Sequence, residues 1–393
     1  MRTRRSESWR RRGALAAALT LALSLAAGGE ARALPTHPCL APGAECTLRE
    51  IASAAGVRVG AAAAPQFFAE PGYAETLAAE FNSITAENAM KWPPIHPAEG
   101  TWDFAAADAL VAFAEANDMT MRGHNLLWAN PDRIPDWVSA APDAETLRAW
   151  LEGHIDTVVG RYAGTVDSWD VVNEPLVNFG DTLYDNVFRD LLGDDYIAEA
   201  FRIAHTADPG AKLFLNEVLV ENPNARFDAF YDLVAGLVAD GVPIDGVGLQ
   251  GHIVAGLLQP GGEGLRQVIE SFAALGLEVE LTEFDVVMAA NGTEALEIQA
   301  GIYAELLSAC LEATACTGIT FWGFTDAHTW IDGTFGPGRV PLPFDESYMP
   351  KPAYDAARGA LLGRLAAVPE PSLAALAASA ASALIGARAR RRR

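Results

Sequence analysis

Trp169-Asp170-Val171-Val172-Asn173-Glu174-Pro175 is the stretch that decides how this chain is read. Apolar and β-branched residues lead into Asn, Glu and Pro, the form of a strand buried along its length that ends on a carboxylate. Glu280-Leu281-Thr282-Glu283-Phe284-Asp285 has the same form. An acid at the end of a buried strand stands where burial gives way to a pocket. Two such acids, Glu174 and Glu283, are suited to paired work as proton donor and as nucleophile or base.

Outward from these two stretches, short β-rich runs alternate with longer amphipathic, Ala-rich segments between residues 48 and 365. The pattern predicts strands at 57–61, 83–85, 119–123, 168–172, 212–215, 246–249, 278–281 and 319–321. Helices are predicted at 73–81, 104–116, 144–161, 196–208, 225–240, 265–275 and 296–310. Strands and helices in that alternation predict an α/β fold, a (β/α)8 TIM barrel forming one catalytic domain over 48–365. A doubly wound open sheet would want a glycine-rich phosphate turn after an early strand, and the sequence offers none of that form. A barrel builds its pocket at the C-terminal ends of its strands. Glu87, Asn88, His124, Asn173, Glu174, Asn216, Gln250, His252 and Glu283 all follow directly on predicted strands.

Half of the 393 residues are hydrophobic, enough for a large core, and the formal charge is -23. Both ends are basic. Setting aside residues 1–33 and 369–393 leaves 16 basic against 48 acidic residues, a net of about -32. Such a surface repels nucleic acid and anionic membrane and suits a soluble protein acting on a neutral polymer. Arg10-Arg11-Arg12, the apolar run 14–27 and Ala31-Arg32-Ala33 read as a secretory signal over 1–33, by the general or the twin-arginine route. Residues 34–47 form an extension bearing one of two close cysteine pairs, Cys39 with Cys46 and Cys310 with Cys316. An exported chain meets an oxidising compartment, so two local disulfides are expected. No His or Asp accompanies either pair at ligand spacing, so no metal is expected.

Six segments in order resemble glycoside hydrolase family 10, the endo-1,4-β-xylanases, over about residues 48–363. They are Glu87-Asn88-Ala89-Met90-Lys91-Trp92, Gly123-His124-Asn125-Leu126-Leu127-Trp128, the Trp169 to Pro175 stretch, Gln250-Gly251-His252, the Glu280 to Asp285 stretch, and Phe321-Trp322-Gly323 with Trp330. The resemblance implies Glu174 as general acid/base and Glu283 as nucleophile of a retaining enzyme on xylan or xylo-oligosaccharides. Retaining carboxyl pairs stand about 5–5.5 Å apart, where the charge on one raises the proton affinity of the other. It further implies that Asn173 donates to the hydroxyl beside the reacting carbon. His252 and Asp285 would form a relay fixing Glu283, and Gln250 would orient Glu283 or the sugar. Glu87, Asn88 and Lys91 would grip the sugars ahead of the cleaved bond, with Asn216 also among the substrate contacts. His124 and Trp128 would meet the sugar at the cleavage point, and Trp322 with Trp330 would wall it, crowding a hydroxymethyl group.

The chain also departs from the family pattern. Trp128 is followed by Ala129 where the family usually has His, with a slightly longer loop over 130–134. Asn216-Glu217-Val218-Leu219 stands where the family commonly shows Asn-Asp-Tyr-Asn. The tail from 366 to 393, with Pro369-Glu370-Pro371, an apolar run 373–386 and terminal arginines, resembles a PEP-CTERM sorting signal. That implies processing by an exosortase and delivery to the envelope, surface or extracellular matrix of a Gram-negative bacterium. The protein is expected to work as a monomer without metal or cofactor. Two rival readings stay open: a related barrel enzyme acting on glucan or mixed polymers, and a carbohydrate-binding matrix protein without turnover.

Overall fold

The structure, a computed structural model, describes residues 37–368. Its strands are β1 (Arg58–Ala63), β2 (Ser83–Ala86), β3 (Thr120–Trp128), β4 (Ser168–Asn173), β5 (Lys212–Glu217), β6 (Gly246–Leu249), β7 (His252–Val254), β8 (Glu278–Val287) and β9 (Cys316–Phe321). Parallel pairings run in order from β1 to β6, then from β6 to β8, β8 to β9 and β9 back to β1. Eight strands therefore close a (β/α)8 barrel, as the alternation predicts. Short β7 lies outside the ring and pairs with the far half of β8, His252 opposite Asp285. The export signal expected over 1–33 and the sorting motif that starts at Pro369 lie outside the described residues.

Every predicted strand is present, but β3, β5 and β8 run further than their hydrophobic runs. Glu283, expected just past a strand, sits inside β8. Barrel closure buries these polar residues, so polarity marks the pocket here and not the end of the extended backbone. Helix 265–275 likewise begins earlier, at Gly262, and helix 296–310 spans Thr293–Glu312.

Two of the register breaks occur where the strands approach the pocket. From His124 to Leu127 β3 takes three steps while β4 takes two, from Asp170 to Val172. From Leu281 to Phe284 β8 takes three steps while β9 takes two, from Ile319 to Phe321. One extra residue in a strand bends it and re-aims its side chains. These extra residues lie beside His124 and Glu283.

The outer helices begin where the sequence supplies caps. Asp143 accepts from the Thr146 N–H at 2.8 Å ahead of helix Ala144–Arg161, which buries Leu147, Leu151, Ile155 and Val158. Asn224 does the same for helix Ala225–Ala239. Inside the barrel lies an ionic network. Arg122 on β3 pairs with Asp170 on β4 and reaches Glu280 on β8 at 3.1 Å. Because β3 and β8 are not neighbours in the ring, this contact crosses the interior. Arg58 also binds Glu280. A disulfide joins Cys310, in helix Thr293–Glu312, to Cys316 at the start of β9, and among the described residues no cysteine is free.

Candidate active site

Glu174 and Glu283 open onto one cleft of about 1130 Å³ at the C-terminal ends of the strands. Glu174 follows β4 with φ of +50°, in the left-handed region that a side-chain-bearing residue seldom occupies. Its N–H bonds to the Asn216 carbonyl at 2.9 Å. Its carboxylate accepts from Trp128 Nε1 at 3.0 Å and from Gln250 Nε2 at 2.8 Å. Glu283, 4 % exposed, accepts from Asn216 Nδ2 at 2.7 Å. The same Asn216 nitrogen donates to Asn173 Oδ1 at 2.7 Å, and Gln250 Nε2 lies 3.4 Å from that oxygen. A continuous chain therefore links the two acids: Glu174, Gln250, Asn173, Asn216, Glu283. It also commits the Asn173 carbonyl to the network, which turns the amide donor toward the cleft.

His252 holds the second acid. Its Nε2 lies 3.2 Å from Glu283 Oε2 and its Nδ1 lies 3.0 Å from Asp285 Oδ2. Burial works against a charged imidazole, but Asp285 and Glu283 outweigh it and push His252 up to about 10. The ring thus carries both protons and donates to both acids. For Glu283, burial favours the neutral acid. The hydrogen bond from His252 and the neighbouring cations, Lys91 among them, prevail and hold it below the usual carboxylate range. Trp330 Nε1 donates to Asp285 Oδ2 at 2.9 Å, which secures the indole at the cleft wall.

On the side of β2, Lys91 Nζ donates to Asn88 Oδ1 at 2.8 Å and Asn88 Nδ2 donates to Glu87 at 3.0 Å. Burial pushes the Glu87 carboxyl up and the Lys91 ammonium down, each partly offset by opposite charge nearby. Lys91 stands 4.9 Å from the Trp128 ring and 5.6 Å from the Trp322 ring. The edge-on contact of His124 with Trp322, centroids 5.0 Å apart, completes that corner. His124 Nδ1 is tied to Asp170 Oδ2 at 2.9 Å. Ammonium, amide, carboxylate and imidazole groups among indole faces can bind a chain of hydroxylated rings.

Two placements differ from the expectations. Asn216 was expected among the substrate contacts but is fully buried under the cleft floor, its Oδ1 accepting from Thr282 Oγ1 at 2.6 Å. Gly248 makes this possible, since a Cβ there would lie 2.1 Å from Asn216 Oδ1. Gln250 was expected on Glu283 or the sugar; it lines the cleft and binds Glu174 in place of Glu283. Both depend on which face of the barrel each strand presents, and spacing along the chain does not give that.

Other lining residues were not among the site residues expected from the sequence, although Val218 and Leu219 were noted there as a departure. Phe179, 79 % exposed with φ of +57°, stands on the loop after Glu174. Val218 and Leu219 line the cleft where the family has Tyr and Asn, and Arg133 lies on the loop after β3. An exposed aromatic five residues beyond an acid, in Val177-Asn178-Phe179-Gly180, was a readable signal for the first. Ala129 is buried, its N–H on the Asn173 carbonyl at 2.9 Å. A second hollow of about 420 Å³ shares Phe179, Leu219, His252 and Leu258 with the cleft and extends it.

Residues 47–360 match the profile of glycosyl hydrolase family 10. Endo-1,4-beta-xylanase B of Thermotoga neapolitana is 38% identical over 318 residues, 79% of this chain and 90% of that protein. Endo-1,4-beta-xylanase C of Phanerodontia chrysosporium is 38% identical over 277 residues, 70% of this chain and 68% of that protein. Among solved structures, native xylanase 10B from Thermotoga maritima superposes with a TM-score of 0.77 at 38% identity, covering 81% of this chain and 99% of that one. Xylanase 10B from Thermotoga petrophila RKU-1, in complex with xylobiose, gives a TM-score of 0.78 at 37% identity, covering 83% and 100%.

Proposed function

Since the chain belongs to glycosyl hydrolase family 10, we propose that it is a retaining endo-1,4-β-xylanase, cleaving internal bonds of xylan by double displacement. In the first displacement Glu174 gives its proton to the glycosidic oxygen while Glu283 attacks the anomeric carbon. The C–O bond to the leaving chain breaks and a glycosyl ester forms on Glu283. In the second, Glu174 takes a proton from water, the resulting nucleophile attacks the same carbon, and Glu283 leaves as carboxylate. Asn173 donates to the neighbouring hydroxyl as charge develops on the sugar. Glu87, Asn88, Lys91, His124 and Trp128 bind the glycone, with Trp322 and Trp330 above it.

One observation carries this reading: two acids in one cleft, joined through Asn173 and Asn216, with the protonated His252 holding one of them ionised. The relatives named endo-1,4-beta-xylanase and the relative bound to xylobiose support the choice of polymer. Digestion of defined xylo-oligosaccharides, followed by NMR, should release the β-anomer first, and an initial α-anomer would overturn the mechanism. Glu174→Gln and Glu283→Ala should each lower kcat on xylan by about a thousandfold or more. Faster turnover of carboxymethyl cellulose or mixed-linkage glucan than of xylan would favour the rival barrel glycanase.

The same reading extends to location. The basic start with its apolar run directs export, and the Pro369-Glu370-Pro371 tail directs sorting at the envelope. Mass spectrometry of the exported protein should find both ends shortened.

A further inference from the structure

At the rim of the cleft, beside the Trp128 indole, stands a cation with no counterion among the described residues. Arg133 closes the short helical turn Pro131–Arg133 after β3, and its N–H is anchored on the Asn130 carbonyl at 2.9 Å. The guanidinium carbon lies 4.8 Å from the centroid of Trp128, the indole that donates to Glu174. The residue is exposed and lines the cleft. Among the described residues its side chain makes no hydrogen bond and no ion pair.

Lys91 approaches the same ring to 4.9 Å but is differently placed. It is bonded to Asn88 and lies in the field of Glu283, Glu87 and Glu174, so its charge is compensated. Asp132 and Asp136 share the rim with Arg133, yet neither pairs with it. Two cations beside one indole repel, and the guanidinium cannot lose its proton to relieve this. An anion on Arg133 would. The donor fork of a guanidinium matches a carboxylate in two parallel hydrogen bonds. Facing a groove that takes a neutral polymer, such a carboxylate has to arrive as a branch on that polymer.

Building on the proposed xylanase activity, we infer that Arg133 binds the carboxylate of a uronic acid branch on the xylan chain. Acid-branched xylan is then the substrate class this cleft selects. Arg133 is a specificity residue, standing in a loop where this chain departs from the family pattern.

The test compares kcat/KM for a xylo-oligosaccharide carrying one uronic acid branch with that for the same oligosaccharide after reduction of the branch carboxyl to an alcohol. For the unaltered protein the acidic form should be preferred about fivefold, a ratio that falls toward one in Arg133→Gln, inverts in Arg133→Glu and weakens in high salt. Arg133→Lys should keep part of the preference. An equal ratio in the unaltered protein overturns the inference. So does an equal loss on both substrates in Arg133→Gln, which would assign Arg133 to holding Trp128. If neither oligosaccharide is cleaved, the proposed function fails on its own. Calorimetric affinities for the two forms then decide the inference, and equal affinities overturn it.

Discussion

His252 donates Nδ1–H to Asp285 and Nε2–H to Glu283, and its charge helps hold Glu283 ionised. Its value, raised to about 10 in the folded protein, gives a definite sign to pH dependence. The stabilisation is fully present below the free imidazole value near 6.5, and it is lost as pH rises through about 10. Glu283 is opposite in sign. Its carboxyl is held low, so its contribution is present above the ordinary carboxylate range and lost as pH falls through the folded value. Urea titrations at several pH values across the alkaline window should show stability falling in the unaltered protein, and His252→Gln should lack that component. Parallel curves for the two proteins would remove His252 from this role. Residue types and order made Glu174, Glu283, His252 and Asp285 legible in the sequence. The partners of Gln250 and Asn216 were not, because they lie 76 and 67 positions away along the chain.

At the scale of elements, the loop after β4 hangs from a buried clamp. Arg226 donates Nε–H to the Val218 carbonyl at 2.8 Å and Nη1–H to the Gly180 carbonyl at 2.7 Å, and it pairs with Glu217 at 2.6 Å. Glu217 also accepts from the Leu176 N–H at 3.0 Å. Burial pushes its carboxyl up to about 8 in spite of Arg226. The clamp fixes residues 176–180, which follow directly on the strained Glu174 and carry Phe179. Arg226→Met would leave a buried acid unpaired and four carbonyl contacts unmade. It should cost about 3–5 kcal/mol in denaturant titration, and kcat/KM on long oligosaccharides should fall with it. Stability unchanged within about 0.5 kcal/mol would refute the clamp. Nothing in Asn216-Glu217-Val218-Leu219 announced it. What could be read there was the departure from a pattern; the partner sits on the next helix.

For the molecule as a whole, closure is what converts eight strands into a site. It places Arg122 across the interior from Glu280 and brings β9 back to β1. The disulfide between Cys310 and Cys316, six positions apart, is a local tie on that ring. The loop-entropy relation assigns so short a crosslink about 2 kcal/mol, so Cys316→Ala should lower the unfolding free energy by that amount with activity retained. Loss of soluble protein would show that the tie is needed for folding itself. The sequence by itself determined the alternation of elements, the barrel class and the candidates for the chemical residues, because hydrophobic periodicity and residue type are local properties. Tertiary structure alone decided which polar group meets which acid, where strands gain a residue, and that Arg133 stands uncompensated above Trp128. Those depend on distances between strands that are remote in the chain, and they are set only when the ring closes.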